Sequence, residues 1–179
     1  MRTILLMLFL AAPIAAARAQ AAGHPAPRET YASASVDSAG NLDIVTTGGR
    51  HIVIPPDSGQ AGFGDPQVTP DGSAVGASAL YPNCCTAYPV PMQLVVYAGG
   101  TAHRFRADLP IVQWAFADGG TRVAYGQQPL RQVCETRYEL HEVEAERLVE
   151  SFSVEHSCDA HPEPRPVRLP PWVKALVSP

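Results

Sequence analysis

An all-β repeat fold is what the sequence predicts, and three observations carry it. The stretch 67–154 contains one unit written twice: Gln67-Val-Thr-Pro-Asp-Gly-Ser-Ala-Val-Gly-Ala and Trp114-Ala-Phe-Ala-Asp-Gly-Gly-Thr-Arg-Val-Ala. In both copies a short apolar run meets an Asp-Gly turn and a second run follows, a strong hairpin signal because glycine accepts the positive φ such turns need. The spacing is constant: 47 residues separate Asp71 from Asp118, and the same number separate Phe105 from Phe152. A period of roughly 40–50 residues with about four strands per unit is the spacing of blade-type repeats.

The elements follow in order. Residues 1–19 have the form of a secretory signal: Arg2 as the positive region, an apolar run over 4–10, and Ala17-Arg18-Ala19 as a small-residue cleavage site. The expected mature chain starts at Gln20, is periplasmic or secreted, and has no stable membrane insertion. Loss of Arg2 and Arg18 takes the formal charge from −4 to −6, which argues against nucleic acid as partner. Residues 20–30 carry no periodicity and are expected to be a flexible lead-in. A single β-repeat domain is expected over 31–158.

Within it, 34–37, 41–46 and 50–54 are three expected strands. The Gly48-Gly49 turn between the last two matches Gly99-Gly100 in the next unit, 51 residues on. This is a third, degenerate copy that keeps its later strands. A Gly/Pro/Asp loop over 55–66 leads to strands near 67–69, 74–79, 94–98 and 103–106. An insertion, Tyr81-Pro-Asn-Cys-Cys-Thr-Ala-Tyr-Pro-Val-Pro, interrupts them with a proline-stiffened loop. The third copy supplies strands near 112–116, 122–125, 138–143 and 148–154. The last two are rich in glutamate and helix formers. They lack a sustained i, i+3, i+4, i+7 stripe, so a hairpin is expected with the glutamates on a solvated face. The tail 159–179 is expected to be extended, since 161–179 holds six prolines, with Trp172, Val173 and Leu176 docking on the domain. The whole is a propeller-like stack of about three antiparallel blades, with a β-sandwich as the alternative.

Residues 65–79 and 114–126 resemble the repeats of the WD40-like, TolB-type β-propeller family, in which a strand ending near Pro-Asp-Gly leads into an apolar strand. Thr69-Pro-Asp-Gly-Ser-Ala-Val-Gly follows that pattern, and Phe116-Ala-Asp-Gly-Gly-Thr-Arg-Val-Ala follows it with Ala117 in place of proline. The resemblance implies an envelope-associated binding scaffold rather than an enzyme. Complete propellers have four or more blades, so three blades imply closure by a second copy or an edge covered by a terminal segment.

The chemistry-bearing residues fit that reading. Asp71 and Asp118 stand at equivalent turns and are expected to form them. Four cysteines in an exported chain imply disulfides. Cys85 and Cys134 are 49 residues apart in corresponding loops, so a bridge from one of the Cys84-Cys85 pair to Cys134 and from the other to Cys158 is geometrically sensible. Four cysteines allow three pairings, a bond between the adjacent residues being the rare one, and the sequence leaves the choice open. The alternative is a thiol or copper/zinc-binding protein using these cysteines with His156, Cys158 and His161 as ligands. The sequence holds no hydrolase elbow, zinc-protease motif or phosphate loop. The expectation is therefore a non-catalytic module of the bacterial envelope, without cofactor, whose partner is another protein or a second copy of itself. The exposed rings of Tyr81 and Tyr88 in the 81–91 insertion are its candidate binding residues.

Overall fold

The computed structural model describes residues 29–131, 134–155 and 167–178. Among these residues, eleven strands form three antiparallel sheets that follow one another along the chain. The first sheet is β1 (Tyr31–Val36), β2 (Leu42–Thr46) and β3 (His51–Ile54). The middle sheet is β4 (Gly62–Val68), β5 (Ala74–Tyr81), β6 (Val90–Ala98) and β7 (Thr101–Arg106). The last is β8 (Ile111–Ala117), β9 (Arg122–Gln127), β10 (Glu135–Glu142) and β11 (Arg147–Glu155). Each is a meander in which every strand pairs with the next. One short helix, α1 (Pro171–Val177), follows.

The sheets stack face to face with the middle one covered on both sides. Side chains of a strand alternate between its faces, and β5 and β6 divide accordingly. Val75, Ala77, Ala79 and Val95 pack with Leu42, Ile44 and Ile54 of the first sheet. Ala74, Leu94 and Val96 pack with Trp114, Val123 and Tyr125 of the last. A strand covered on both faces needs a continuous apolar run, and Ala74-Val-Gly-Ala-Ser-Ala is buried at every position. β2 has one covered face and alternates: Leu42, Ile44 and Thr46 are buried, Asp43 and Val45 less so. A two-layer sandwich would give each sheet one covered face, so that alternative does not hold.

The repeated turns nest on one another. The Asp71 carboxylate accepts bonds from the Ser73 amide at 3.0 Å and its hydroxyl at 2.7 Å, while Gly72 takes the positive φ of 69°. A Cβ on Gly72 would stand 2.8 Å from the Tyr31 carbonyl oxygen of the first sheet. At the next turn a Cβ on Gly120 would stand 2.7 Å from Thr69 Cγ2. Glycine at each turn therefore permits the approach of the neighbouring sheet. Asp71 and Asp118 are turn residues, and Asp118 also pairs with Arg122 at 3.0 Å.

The structure differs from expectation in two elements. A strand begins at Gly62, inside the expected 55–66 loop. It pairs with β5 on both sides of an irregularity between Gly64 and Gln67, where Pro66 lacks an N–H and Asp65 adopts φ 51°. The tail forms a helix over Pro171–Val177 rather than an extended segment. Pro171 opens it, where a missing N–H costs nothing, and Val173 is fully buried with the helix packed against β8 and β9. The docking of the apolar tail cluster is as expected. So is the hairpin reading of the glutamate-rich segment, since β10 and β11 pair antiparallel from Glu135–Glu155 to Glu142–Arg147.

Gly76 lies in the middle of β5, and a Cβ there would stand 2.5 Å from Trp114 Cη2. Replacing Gly76 with Ala overpacks the seam between the middle and last sheets and should lower stability by about 1–3 kcal/mol. Urea denaturation measures this, and an unchanged midpoint would show that the seam has slack the packing does not reveal.

Candidate functional site

The loop over 82–89 joins β5 to β6 and is organised by one side chain. Asn83 accepts bonds at its Oδ1 from the Cys85 and Thr86 amides, each at 2.9 Å. Its Nδ2 donates to the Tyr88 carbonyl at 3.0 Å and to Thr86 Oγ1 at 2.5 Å, and the Thr86 hydroxyl donates to the same Tyr88 carbonyl at 2.6 Å. An Asn that bonds the backbone two and three residues on is a turn device. It bends the chain so that Cys84 and Cys85 project side by side into solvent, both exposed. They are bonded to one another.

The two candidate rings differ in setting. Tyr88 is 65% exposed. Tyr81 is half-buried against the core between the first two sheets, and its hydroxyl donates to Gln93 at 3.1 Å. At the root of the loop lies a hollow of about 220 Å³, lined by Leu80, Pro91, Ile111, Val112, Trp114 and Gly64 among others. Exposed Val112 stands on its rim. This end of the stack combines a projecting ring, an exposed disulfide and a shallow apolar hollow.

The cysteines do not follow the expected bridge between corresponding loops, because Cys84 is spent on Cys85. Cys134 stands just before β10 and is disulfide-bonded. Cys158, His156 and His161, the alternative metal ligands, lie outside the described residues. Among the described residues no group of three or more His, Cys, Asp or Glu stands together to hold a metal ion.

A second cluster was not legible as a site. The glutamates of the last sheet were expected on a solvated face, yet Glu139 is 6% exposed, buried between the middle and last sheets. Its Oε2 accepts a bond from the Tyr125 hydroxyl at 2.6 Å and stands 2.9 Å from His141 Nε2. Its Oε1 accepts from Gln127 Nε2 at 3.0 Å and pairs with Arg137 at 2.8 Å. Gln127 Oε1 in turn accepts from the Asp108 and Leu109 amides, each at 3.0 Å. The signal was register: Tyr125 and Gln127 share a face with core Val123, and Glu139 lies directly across from Tyr125.

Hydrogen bonding from His141, then from Tyr125 together with the charge of Arg137, holds the Glu139 carboxyl below its usual range despite burial. Burial, reinforced by Glu139, pushes the Tyr125 hydroxyl well up, so it remains a donor. A fully bonded carboxylate enclosed this way ties β9, β10 and the 107–110 loop together rather than acting on a substrate. A cleft of about 650 Å³ lies at the other end of the sheets beside Gly99, Gly100 and Gly120. Of its three carboxylates, Glu29, Glu142 and Glu144, the first two are paired with Arg50 and Arg147. Comparison of the chain with protein-family models and with curated proteins finds no match.

The Glu139 cluster makes stability pH-dependent with a definite sign. A folded-state value depressed below the unfolded 4.5 means that the contribution is complete above about pH 4.5 and is lost as pH falls through the folded value. Glu139→Gln should cost about 1–3 kcal/mol at neutral pH and flatten the acid limb of the stability curve. Urea midpoints of both proteins between about pH 7 and pH 3 test this, and equal slopes would remove Glu139 as the responsible group.

Proposed function

We propose that this protein is an exported, non-catalytic, propeller-like interaction module of the bacterial envelope, and that it binds another protein through the loop over 82–89. The observation that carries the reading is the stack itself: one meander per sequence repeat, with successive sheets packed in chain order. Side chains about one period apart touch between successive units, as where Arg104 of β7 meets Asp57 of the connection after β3 at 3.0 Å over 47 residues. Such stacks leave their loops as the variable, ligand-facing parts. Three features support export and scaffolding together: the signal-like start, the acidic mature charge and the disulfides. Thiols consumed in disulfides are not available as metal ligands, which favours the module over a copper or zinc carrier.

Tyr88 is the anchor of the proposed surface, because a ring on a stiff loop loses little freedom on binding. Tyr81 supports the loop from below. The pair is therefore separable by mutation. Tyr88→Ala should change stability by less than about 0.5 kcal/mol while abolishing capture of the partner from an envelope extract by immobilised mature protein. Tyr81→Ala should lower stability by about 1–3 kcal/mol through lost packing. Retention of the same captured protein by the Tyr88 variant would refute the loop as the binding surface. Sedimentation of the purified protein tells a second copy from a different protein as the occupant.

A further inference from the structure

The Cys84–Cys85 bond contributes little of what a disulfide ordinarily contributes. Stabilisation by a cross-link grows with the length of chain it closes, and this one joins neighbouring residues. Its consequence is local: it confines the Cys84–Cys85 peptide, whose own N–H donates to Asn83 Oδ1, as does the N–H of the following residue, Thr86. Asn83 also holds the Tyr88 carbonyl, and Thr86 bonds both Asn83 and that carbonyl. A continuous set of bonds therefore runs from the disulfide to the backbone of Tyr88, which carries the exposed ring. Both cysteines are exposed, so a thiolate has access to either sulfur. Cys134 is half-buried, in contrast.

The geometry points to Cys84–Cys85 as a thiol–disulfide exchange site whose substrate is a dithiol, small or protein-borne, and whose oxidation state sets the position of Tyr88. One thiolate of the dithiol attacks a Cys84 or Cys85 sulfur, breaking their bond and forming a mixed disulfide. The second thiolate of the dithiol displaces the protein thiolate and becomes the reagent's own disulfide. The chain takes up two electrons and two protons and ends with two thiols. Reduction frees the Cys84–Cys85 peptide and loosens the Asn83 cradle, so the turn that presents Tyr88 exchanges among conformers. The effect on binding rests on the proposed role of the loop as a binding surface, whereas the exchange chemistry and the loosening do not.

The test uses the mature protein without any partner, so its outcome is independent of whether the loop binds one. Native protein is titrated with dithiothreitol, trapped with N-ethylmaleimide and mapped by mass spectrometry. Amide hydrogen exchange is followed on the oxidised and reduced forms. The expected result is no label before reduction, then two labels, on Cys84 and Cys85, at reductant levels that leave Cys134 unlabelled. The Cys85 and Thr86 amides should exchange at least about tenfold faster after reduction, with β5 and β6 amides unchanged. A Cys84→Ser, Cys85→Ser double variant should exchange at the fast rate without reductant and ignore dithiothreitol. Label on either cysteine before reduction would overturn the inference. So would a cross-linked peptide joining either one to Cys134, labelling only on global unfolding, or unchanged exchange in the reduced loop.

Discussion

Everything in this molecule depends on the double-sided burial of β5. A strand with both faces covered admits no water and no charged side chain, and its residues must be small enough for two neighbouring sheets to close on it. Ala74, Gly76 and Ser78 face the last sheet, and Val75, Ala77 and Ala79 face the first. The small residues on one side create the space that the Trp114 ring fills, in contact distance of the Gly76 backbone. With that ring in place, Leu94, Val96, Val123 and Tyr125 complete the seam. A one-residue slip of β5 would put Val75 against Trp114 and Gly76 against Leu42, overpacking one seam and emptying the other. Register is therefore specified from both sides at once.

The second seam feature is polar, and it works with the first. Burying Glu139 without partners would cost several kcal/mol. Tyr125, His141, Gln127 and Arg137 remove that cost by directing donors at both its oxygens. Tyr125 serves both purposes: its ring belongs to the apolar seam and its hydroxyl to the network. Outward from this point His103 pairs with Glu146 at 3.3 Å, tying β7 to the turn between β10 and β11. The middle and last sheets are thus joined by packing near Trp114 and by directed bonds toward their outer strands.

Much of the fold was legible because turn chemistry and periodicity are local. Asp71-Gly72 and Asp118-Gly119, 47 residues apart, located the two full units, and Gly48-Gly49 located the third. Positions that depend on long-range pairing were not. Residues 62–66 contain two glycines and a proline and resemble a loop, yet pairing with β5 makes Gly62–Val68 a strand. Pro170-Pro171 suggested an extended tail, and burial of Val173 on the last sheet selected a helix instead. Glu139 resembled its solvated neighbours because only the partner strand reveals which face it occupies. For the loop over 82–89, the exposed ring of Tyr88 and the vicinal cysteines were visible in sequence, whereas the half-burial of Tyr81 at its root was not. The Asn83 cradle that pairs those cysteines depends on a bend that composition does not encode.

The ends of the stack bear on where a partner can reach it. The outward face of the first sheet carries Ser33, Ser35, Asp43 and His51, with Asp43 and His51 paired at 3.1 Å. Such a row is well hydrated and offers little apolar area, Val53 being its exposed exception. On the last sheet Ala124 and Gly126 face away from the middle sheet and are buried, and α1 packs against the strands that carry or flank them. The exposed edge strand β11 is marked by Arg147, Glu150 and Glu155, charges that oppose the addition of a further strand. A polar face, a helix-covered face and a charged edge all disfavour association along the stack. The loop end differs from each of them: Tyr88 projects there beside Val112 and the hollow lined by Leu80 and Trp114. Burial of a ring and its surrounding apolar rim supplies binding free energy that the hydrated faces lack. These terms support the loop end as the proposed binding surface.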